Sequence, residues 1–204
     1  MQQKTIAIDI DGVLRNIIPQ IDDYLANDHP EKFKTYKESK DVDYYCLNNA
    51  FSGDDEAVRK WLYEDRPFEI FAIANRMHPR IIDDLNIFTR TAELNGFRVL
   101  IASVQNQRSV TSTLHWLAKF GCKLQYYCFF KSVQEKIDAN FDIYIDDCPT
   151  VLEAVADKKI DGLPRAIKVP YEFNEHISCP SIDTANGNFD DLYKILEIKK
   201  LLKK

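Results

Sequence analysis

Glycine is scarce in this 204-residue chain: there are six, at positions 12, 53, 96, 121, 162 and 187, and they are scattered singly. That scatter excludes the GxGxxG dinucleotide fingerprint and the GxxxxGK phosphate loop, both of which need paired glycines for close backbone approach to phosphate. A GxSxG nucleophile elbow is missing as well. Histidine is rare, and the four present (29, 78, 115 and 176) have no HExxH or other paired spacing, which removes the usual zinc-hydrolase pattern. The five cysteines (46, 122, 128, 148 and 179) form no CxxC pair. Neither a disulfide framework nor a zinc cluster is therefore expected, and the thiols read as buried and reduced, in keeping with a cytoplasmic protein. No apolar run approaches the roughly 18 residues that a membrane span needs, and Asp9 and Asp11 stand where a signal peptide would be apolar. Basic residues are outnumbered, 27 against 32, giving a net charge of −5. Attraction to nucleic acid depends on lysine and arginine neutralising phosphates, so no extended nucleic acid is expected and the default partner is a small molecule.

What is present is a globular composition, 45% hydrophobic, 12% aromatic and 29% charged, of a length that suits one domain or one domain with an insert. Short β-rich apolar runs at 5–8, 97–103, 124–130, 141–145 and 165–169 predict strands. Between them, amphipathic patterns predict helices over 79–95 and 109–120, after Pro149, and over 190–202. This alternation implies βαβ units, an α/β fold and a parallel sheet. The interval from 14 to 78 breaks the pattern. It is too long for a structureless loop and carries its own aromatic residues, so it reads as an inserted, mostly helical module over one sheet edge.

In parallel sheets, sites form beyond the carboxyl ends of the strands. The residues at those ends are Asp9 and Asp11, Ser103, and Asp146 with Asp147. Asp-Asp pairs occur five times in the chain, so a pair alone proves little; only Asp146-Asp147 follows directly from a buried strand, Ile143-Tyr144-Ile145. Two such carboxylate groups brought together repel unless a cation lies between them. A hard divalent ion with oxygen ligands, Mg²⁺ above all, answers that requirement.

Asp9-Ile-Asp-Gly-Val13, then Ser103 at a strand end, then a lysine, then Asp146-Asp147, resembles the four-motif pattern of the haloacid dehalogenase (HAD) superfamily. Within it, the chain is most similar to small-cap phosphatases of the 5′(3′)-deoxyribonucleotidase kind. The resemblance implies a Rossmannoid core of residues 1–15 and 78–204 with a helical cap of residues 16–77. It implies a Mg²⁺-dependent phosphate monoester hydrolase acting, in this reading, on a nucleotide. Asp9 is then the nucleophile that forms an aspartyl-phosphate, and Asp11 the general acid and base. Ser103 and a lysine hold the transferring phosphoryl group. The metal falls to Asp9, Asp11 through its backbone carbonyl, Asp146 and Asp147. Two lysines qualify, Lys131 directly after a strand and Lys136 ten positions before Asp146; the ten-residue separation of the nucleotidases favours Lys136. Arg15, and the segment 104–107, depart from the nucleotidase pattern. The other readings are a phosphatase for nucleic-acid 3′ ends or another small metabolite, and a non-catalytic binding protein that keeps the fold. Trp61, Phe68 and Phe71 are candidates either for stacking on a base or for the cap's own core, and Arg66 and Arg76 for reaching a phosphate.

Overall fold

The computed structural model describes residues 3–38, 46–186 and 189–199. The chain opens with β1 (Lys4–Ile8), then leaves the sheet through a two-residue strand, β2 (Arg15–Asn16). Four helices follow: α1 (Ile18–Asp28), α2 (Pro30–Glu38), α3 (Cys46–Ala50) and α4 (Asp55–Lys60). Two π-helical turns, Trp61–Asp65 and Phe68–Ala72, complete this excursion. It returns through β3 (Asn75–Arg76), which pairs antiparallel with β2. The remainder alternates: α5 (Ile81–Leu94), β4 (Phe97–Val104), α6 (Gln107–Lys119), β5 (Tyr127–Phe130), α7 (Val133–Asp138), β6 (Ile143–Asp146) and α8 (Pro149–Val155). A small hairpin of β7 (Lys159–Ile160) and β8 (Leu163–Pro164) precedes β9 (Ala166–Lys168), and α9 (Asp190–Ile195) comes last.

The five long strands make one parallel sheet in the order β5-β4-β1-β6-β9. Period-two alternation decides the faces. Ile6, Ile8, Val99, Ile101, Ile143 and Ile145 enter one apolar cluster with α5, α6 and α9. Their neighbours Ala7, Leu100, Ala102 and Tyr144 enter a second cluster with α8. Strands buried on both faces explain the near-continuous apolar runs in the sequence. From β1 the chain builds outward to β4 and β5, then crosses back to β6 on the other side. The ends of β1 and β6 are therefore the point where the winding reverses, the place such sheets offer to ligands.

The excursion between β2 and β3 has an apolar cluster of its own, running from Ile17 to Ala74 and including Leu25, Trp61, Ile70 and Phe71. Its helical character agrees with the insert expected from the sequence. Among the described residues, no helix is long and apolar enough to cross a membrane.

Several boundaries differ from the sequence expectation, each for a local reason. Helix α5 starts at Ile81 rather than 79, because Pro79 lies in the turn ahead of it. Helix α6 starts earlier than 109, since the Asn106 side chain caps it by accepting from the backbone of Arg108 and Ser109. Strand β5 begins only at Tyr127. The last helix stops at Ile195, with Glu197 in left-handed backbone (φ 53°) just beyond; residues 200–204 lie outside the described residues. The hairpin β7–β8 was not anticipated, although its Asp161-Gly162 turn, with φ of 49° and 84°, is a recognisable hairpin signal. No disulfide joins Cys122, Cys128, Cys148 and Cys179, which are half-buried rather than buried.

One polar clasp fixes the start of β1 against the start of β6. The Thr5 N–H and hydroxyl both donate to Asp142 Oδ2 (2.7 and 2.8 Å), and the Asp142 N–H donates to Thr5 Oγ1 (3.0 Å). Asp142→Ala leaves two part-buried groups of Thr5 unsatisfied, so it should lower unfolding free energy by about 1–2 kcal/mol. Urea denaturation checks this, and an unchanged midpoint would contradict the clasp.

Candidate active site

Asp9 is the first residue beyond β1, and its N–H donates to the Ile145 carbonyl of β6 at 2.9 Å. Asp146 ends β6, and its Oδ1 accepts from the Cys148 N–H at 3.0 Å. These backbone ties bring together carboxylates 137 positions apart in the chain. Asp9, Asp146 and Asp147 each offer a carboxylate oxygen such that the three atoms lie within 4.8 Å of one another, and all three residues are buried.

Lys136, from α7, answers this cluster. The helix is capped by Ser132, whose hydroxyl accepts from the Glu135 N–H. Lys136 Nζ stands 2.8 Å from Asp9 Oδ1 and 2.7 Å from Asp146 Oδ2, with only 3% of the side chain exposed. Burial alone would push this ammonium down, but Asp146 and Asp9 outweigh it and hold it well above its ordinary value. Lys131, by contrast, is exposed. One lysine does not neutralise three carboxylates. Burial pushes Asp9 up to about 7 despite Lys136, with Asp146 and Asp11 adding repulsion. Asp147 is raised well above the carboxylate range by burial and by Asp9 and Asp146.

The loop between Asp9 and Arg15 is shaped by Gly12, whose φ is 78°. A Cβ there would stand 2.0 Å from Asp147 Oδ2, so only glycine lets the loop lie against that carboxylate. The Tyr171 hydroxyl donates to the Gly12 carbonyl at 2.8 Å, and the Asn174 amide donates to the Asp147 and Val169 carbonyls, both at 2.9 Å. These contacts fix the two acidic loops against each other.

Asp11 lies outside the carboxylate cluster. Its side chain turns to Arg15, whose Nε and Nη2 donate to Oδ1 and Oδ2 at 2.7 and 3.0 Å. Gln105 Nε2 donates to the same Oδ2 at 3.2 Å. Ser103 sits near the end of β4, 2% exposed.

Asp9, Asp11, Ser103 and Asp147 line one cavity of about 180 Å³, together with Arg59 and Tyr63 from the inserted helices and Phe173 from the loop after β9. Tyr63 stacks on Phe71 with centroids 5.5 Å apart. Its hydroxyl is pushed up to about 12, by burial first and by Asp11 next.

The structure thus brings together Asp9, Asp11, Ser103, Lys136, Asp146 and Asp147. It does not bring in the insert residues singled out from sequence. Trp61 and Phe71 are buried in the insert's own core. Phe68 is exposed and packs near His115. Arg66 is spent on Asp28 at 2.6 Å, and Arg76 lies over the Phe120 ring. Sequence reasoning missed Arg59 and Tyr63, whose i,i+4 spacing puts them on one helical face with no distinguishing composition. It also missed the role of Arg15, for which a signal existed: one charge within the apolar run Val13-Leu14-Arg15-Asn16-Ile17-Ile18.

No family model and no curated protein sequence matches the chain. Its fold, however, is similar to solved structures. A HAD hydrolase of family IA, variant 3, from Entamoeba histolytica superposes with a TM-score of 0.55 at 13% identity, covering 95% of this chain and 99% of that one. A dehalogenase gives 0.54 at 12% identity, with 97% and 98% covered. YfnB from Bacillus subtilis, described as a HAD-hydrolase bound to magnesium, gives 0.51 at 14% identity, with 97% and 100% covered. The chain has the α/β fold of the HAD hydrolases, a parallel Rossmannoid sheet flanked by helices.

Proposed function

We propose that the protein belongs to the HAD superfamily and is a phosphatase that hydrolyses a small phosphate monoester with Mg²⁺. Residues 16–77 form its cap in this reading. The similar structures include dehalogenases as well as other HAD hydrolases, and one observation supports the phosphatase. Asp11, two positions after Asp9, lines the cavity as a second carboxylate, a residue that the superfamily's phosphatases carry and its dehalogenases lack. A dehalogenase has no leaving oxygen to protonate; a phosphatase does.

The carboxylates of Asp9, Asp146 and Asp147 fit a hard divalent cation: all the donors are oxygen, and they are crowded enough to need one. The magnesium described in YfnB supports that choice. When bound, Mg²⁺ would offset the carboxylate repulsion and draw charge from the phosphoryl oxygens. The chain's own residues do the rest. An Asp9 carboxylate oxygen attacks phosphorus and the ester P–O bond breaks, the departing oxygen taking a proton from Asp11. Water then attacks the same phosphorus, giving its proton back to Asp11, and Asp9 is released with inorganic phosphate. Ser103 and Lys136 hold the phosphoryl oxygens through both steps.

For the substrate, a nucleotide is supported by the aromatic residues Tyr63 and Phe173 and the cation of Arg59 in the cavity lining. Its volume of about 180 Å³ lies below the roughly 300 Å³ at which ligand pockets usually begin. That favours a smaller phosphorylated metabolite as the second reading.

Purified protein should release phosphate from an aryl phosphate with Mg²⁺, and either EDTA or Asp9→Asn should abolish it; activity surviving both would refute the mechanism. A panel of nucleoside monophosphates, sugar phosphates and 3′-phosphorylated oligonucleotides then ranks the substrate classes. Lys136→Met should cut kcat by about a hundredfold or more, and near-normal turnover in that variant would remove Lys136 from the phosphoryl site.

The carboxylates also set a pH dependence. Burial pushes Asp9 up to about 7 from 3.8, so between those values the folded state holds a proton that the unfolded chain has lost. Stability in EDTA should therefore fall as pH rises from about 4 to about 7. Mg²⁺ competes with that proton, so it should raise Tm more near pH 8 than near pH 5. Thermal melts at the two pH values measure this, and equal Mg²⁺ shifts would count against a metal held by Asp9.

A further inference from the structure

Arg15 is the only arginine with no exposed surface among the described residues, and four of its five N–H donors are paired. Besides the two bonds to Asp11, its Nη2 donates to Thr113 Oγ1 at 3.0 Å and its Nη1 to the Phe71 carbonyl at 2.9 Å. The guanidinium carbon lies 5.0 Å from the Phe71 ring centre and 5.4 Å from that of Trp116. One planar cation therefore joins the catalytic loop (Asp11), the core helix α6 (Thr113, Trp116) and the insert (Phe71). It does so from β2, where the chain leaves the core.

The arrangement around Asp11 is over-determined. The Thr113 hydroxyl donates to Gln105 Oε1 at 2.6 Å, which turns the Gln105 NH₂ toward Asp11 Oδ2. Three N–H donors from two side chains thus fix both oxygens of Asp11. The fork geometry matters: guanidinium meets carboxylate in parallel bonds and sets the plane of the group, which a point charge does not. Asp11 is thereby kept apart from the cluster of Asp9, Asp146 and Asp147 that shares Lys136.

We propose that Arg15 is the positioning residue for Asp11, fixing the plane and place of its carboxyl at the cavity wall and tying that placement to the cap through the Phe71 carbonyl. The cap enters because Phe71 also carries the stacked Tyr63 ring that lines the cavity. A displacement of this π-helical turn moves a cavity wall and an Arg15 partner together. The inference rests on the phosphatase reading above, and it specifies something that reading does not: the loss on disturbing Arg15 should depend on the leaving group.

An ester whose leaving oxygen is a good leaving group needs little proton donation, whereas an alkyl ester needs it fully. The parameter to compare is kcat/KM, which covers the step in which the ester bond breaks. Arg15→Lys retains the charge but not the fork. It should lose about 10²-fold or more in kcat/KM on an alkyl phosphate, and no more than a few-fold on 4-nitrophenyl phosphate. Thr113→Val, a smaller disturbance, should show the same ordering with a loss of about tenfold on the alkyl ester; it carries the test alone if Arg15→Lys fails to fold, judged by circular dichroism. Equal losses on both esters in the folded variants would make Arg15 a purely structural ion pair and overturn the proposal, leaving the phosphatase reading intact. Wild-type protein that hydrolyses neither ester would overturn both.

Discussion

The molecule is organised by a repulsion. The strands β1 and β6 lie side by side and end together, and each delivers carboxylates into a buried space: Asp9 from one, Asp146 and Asp147 from the other. Ionised groups so close and so poorly solvated are mutually destabilising unless compensated. Much of the surrounding structure is intelligible as compensation or as enforcement. Lys136 is buried to place its ammonium between two of the three. Gly12 has no side chain because Asp147 occupies its place. Tyr171 and Asn174 spend their polar groups on holding the two acidic loops in register.

Two cations serve this region, and they are not interchangeable. Lys136 contributes a compact charge that two carboxylates share. Arg15 contributes a rigid fork that sets the orientation of one carboxylate and commits four N–H donors to protein partners. The chemistry proposed for the site needs both kinds of control. A nucleophile and its cation cluster can tolerate charge sharing, but a proton donor must be aimed.

The core sheet and its acidic loops were legible in the sequence because they obey short-range rules. Strand alternation, the Asp-x-Asp-Gly exit and the Asp-Asp pair after a buried strand are local patterns, and each leads to a definite place once the sheet is parallel. The ten-residue step from Lys136 to Asp146 belongs with them, since it spans one helix and one strand. Less was legible wherever meaning depends on packing between distant elements. Arg15 looked like a departure from a pattern because its partners Phe71 and Thr113 lie 56 and 98 positions away. Arg59 and Tyr63 carry no signal of their own, while the more conspicuous aromatics Trp61 and Phe71 went to the insert's interior, as the burial of large apolar rings demands.

The net charge of the chain, −5, first argues against an anionic partner, and the local arithmetic sharpens that objection before removing it. Asp9, Asp11, Asp146 and Asp147 face the buried Lys136 and Arg15, with Arg59 at the cavity wall, so four carboxylates meet three cations. With all of them ionised, a phosphate ester entering the cavity would still meet an uncompensated negative charge. Protonating Asp9, which titrates near 7, would relieve the repulsion, but a protonated carboxyl is a poor nucleophile. A proton on Asp9 therefore relieves the repulsion only by disabling the nucleophile of the proposed reaction. A divalent cation would resolve both demands at once: it would offset the excess charge and, by displacing the proton from Asp9, leave the proposed nucleophile in its reactive form. The acidic surplus that first spoke against a phosphate substrate is, in this corner of the molecule, the means of holding the ion that would admit one.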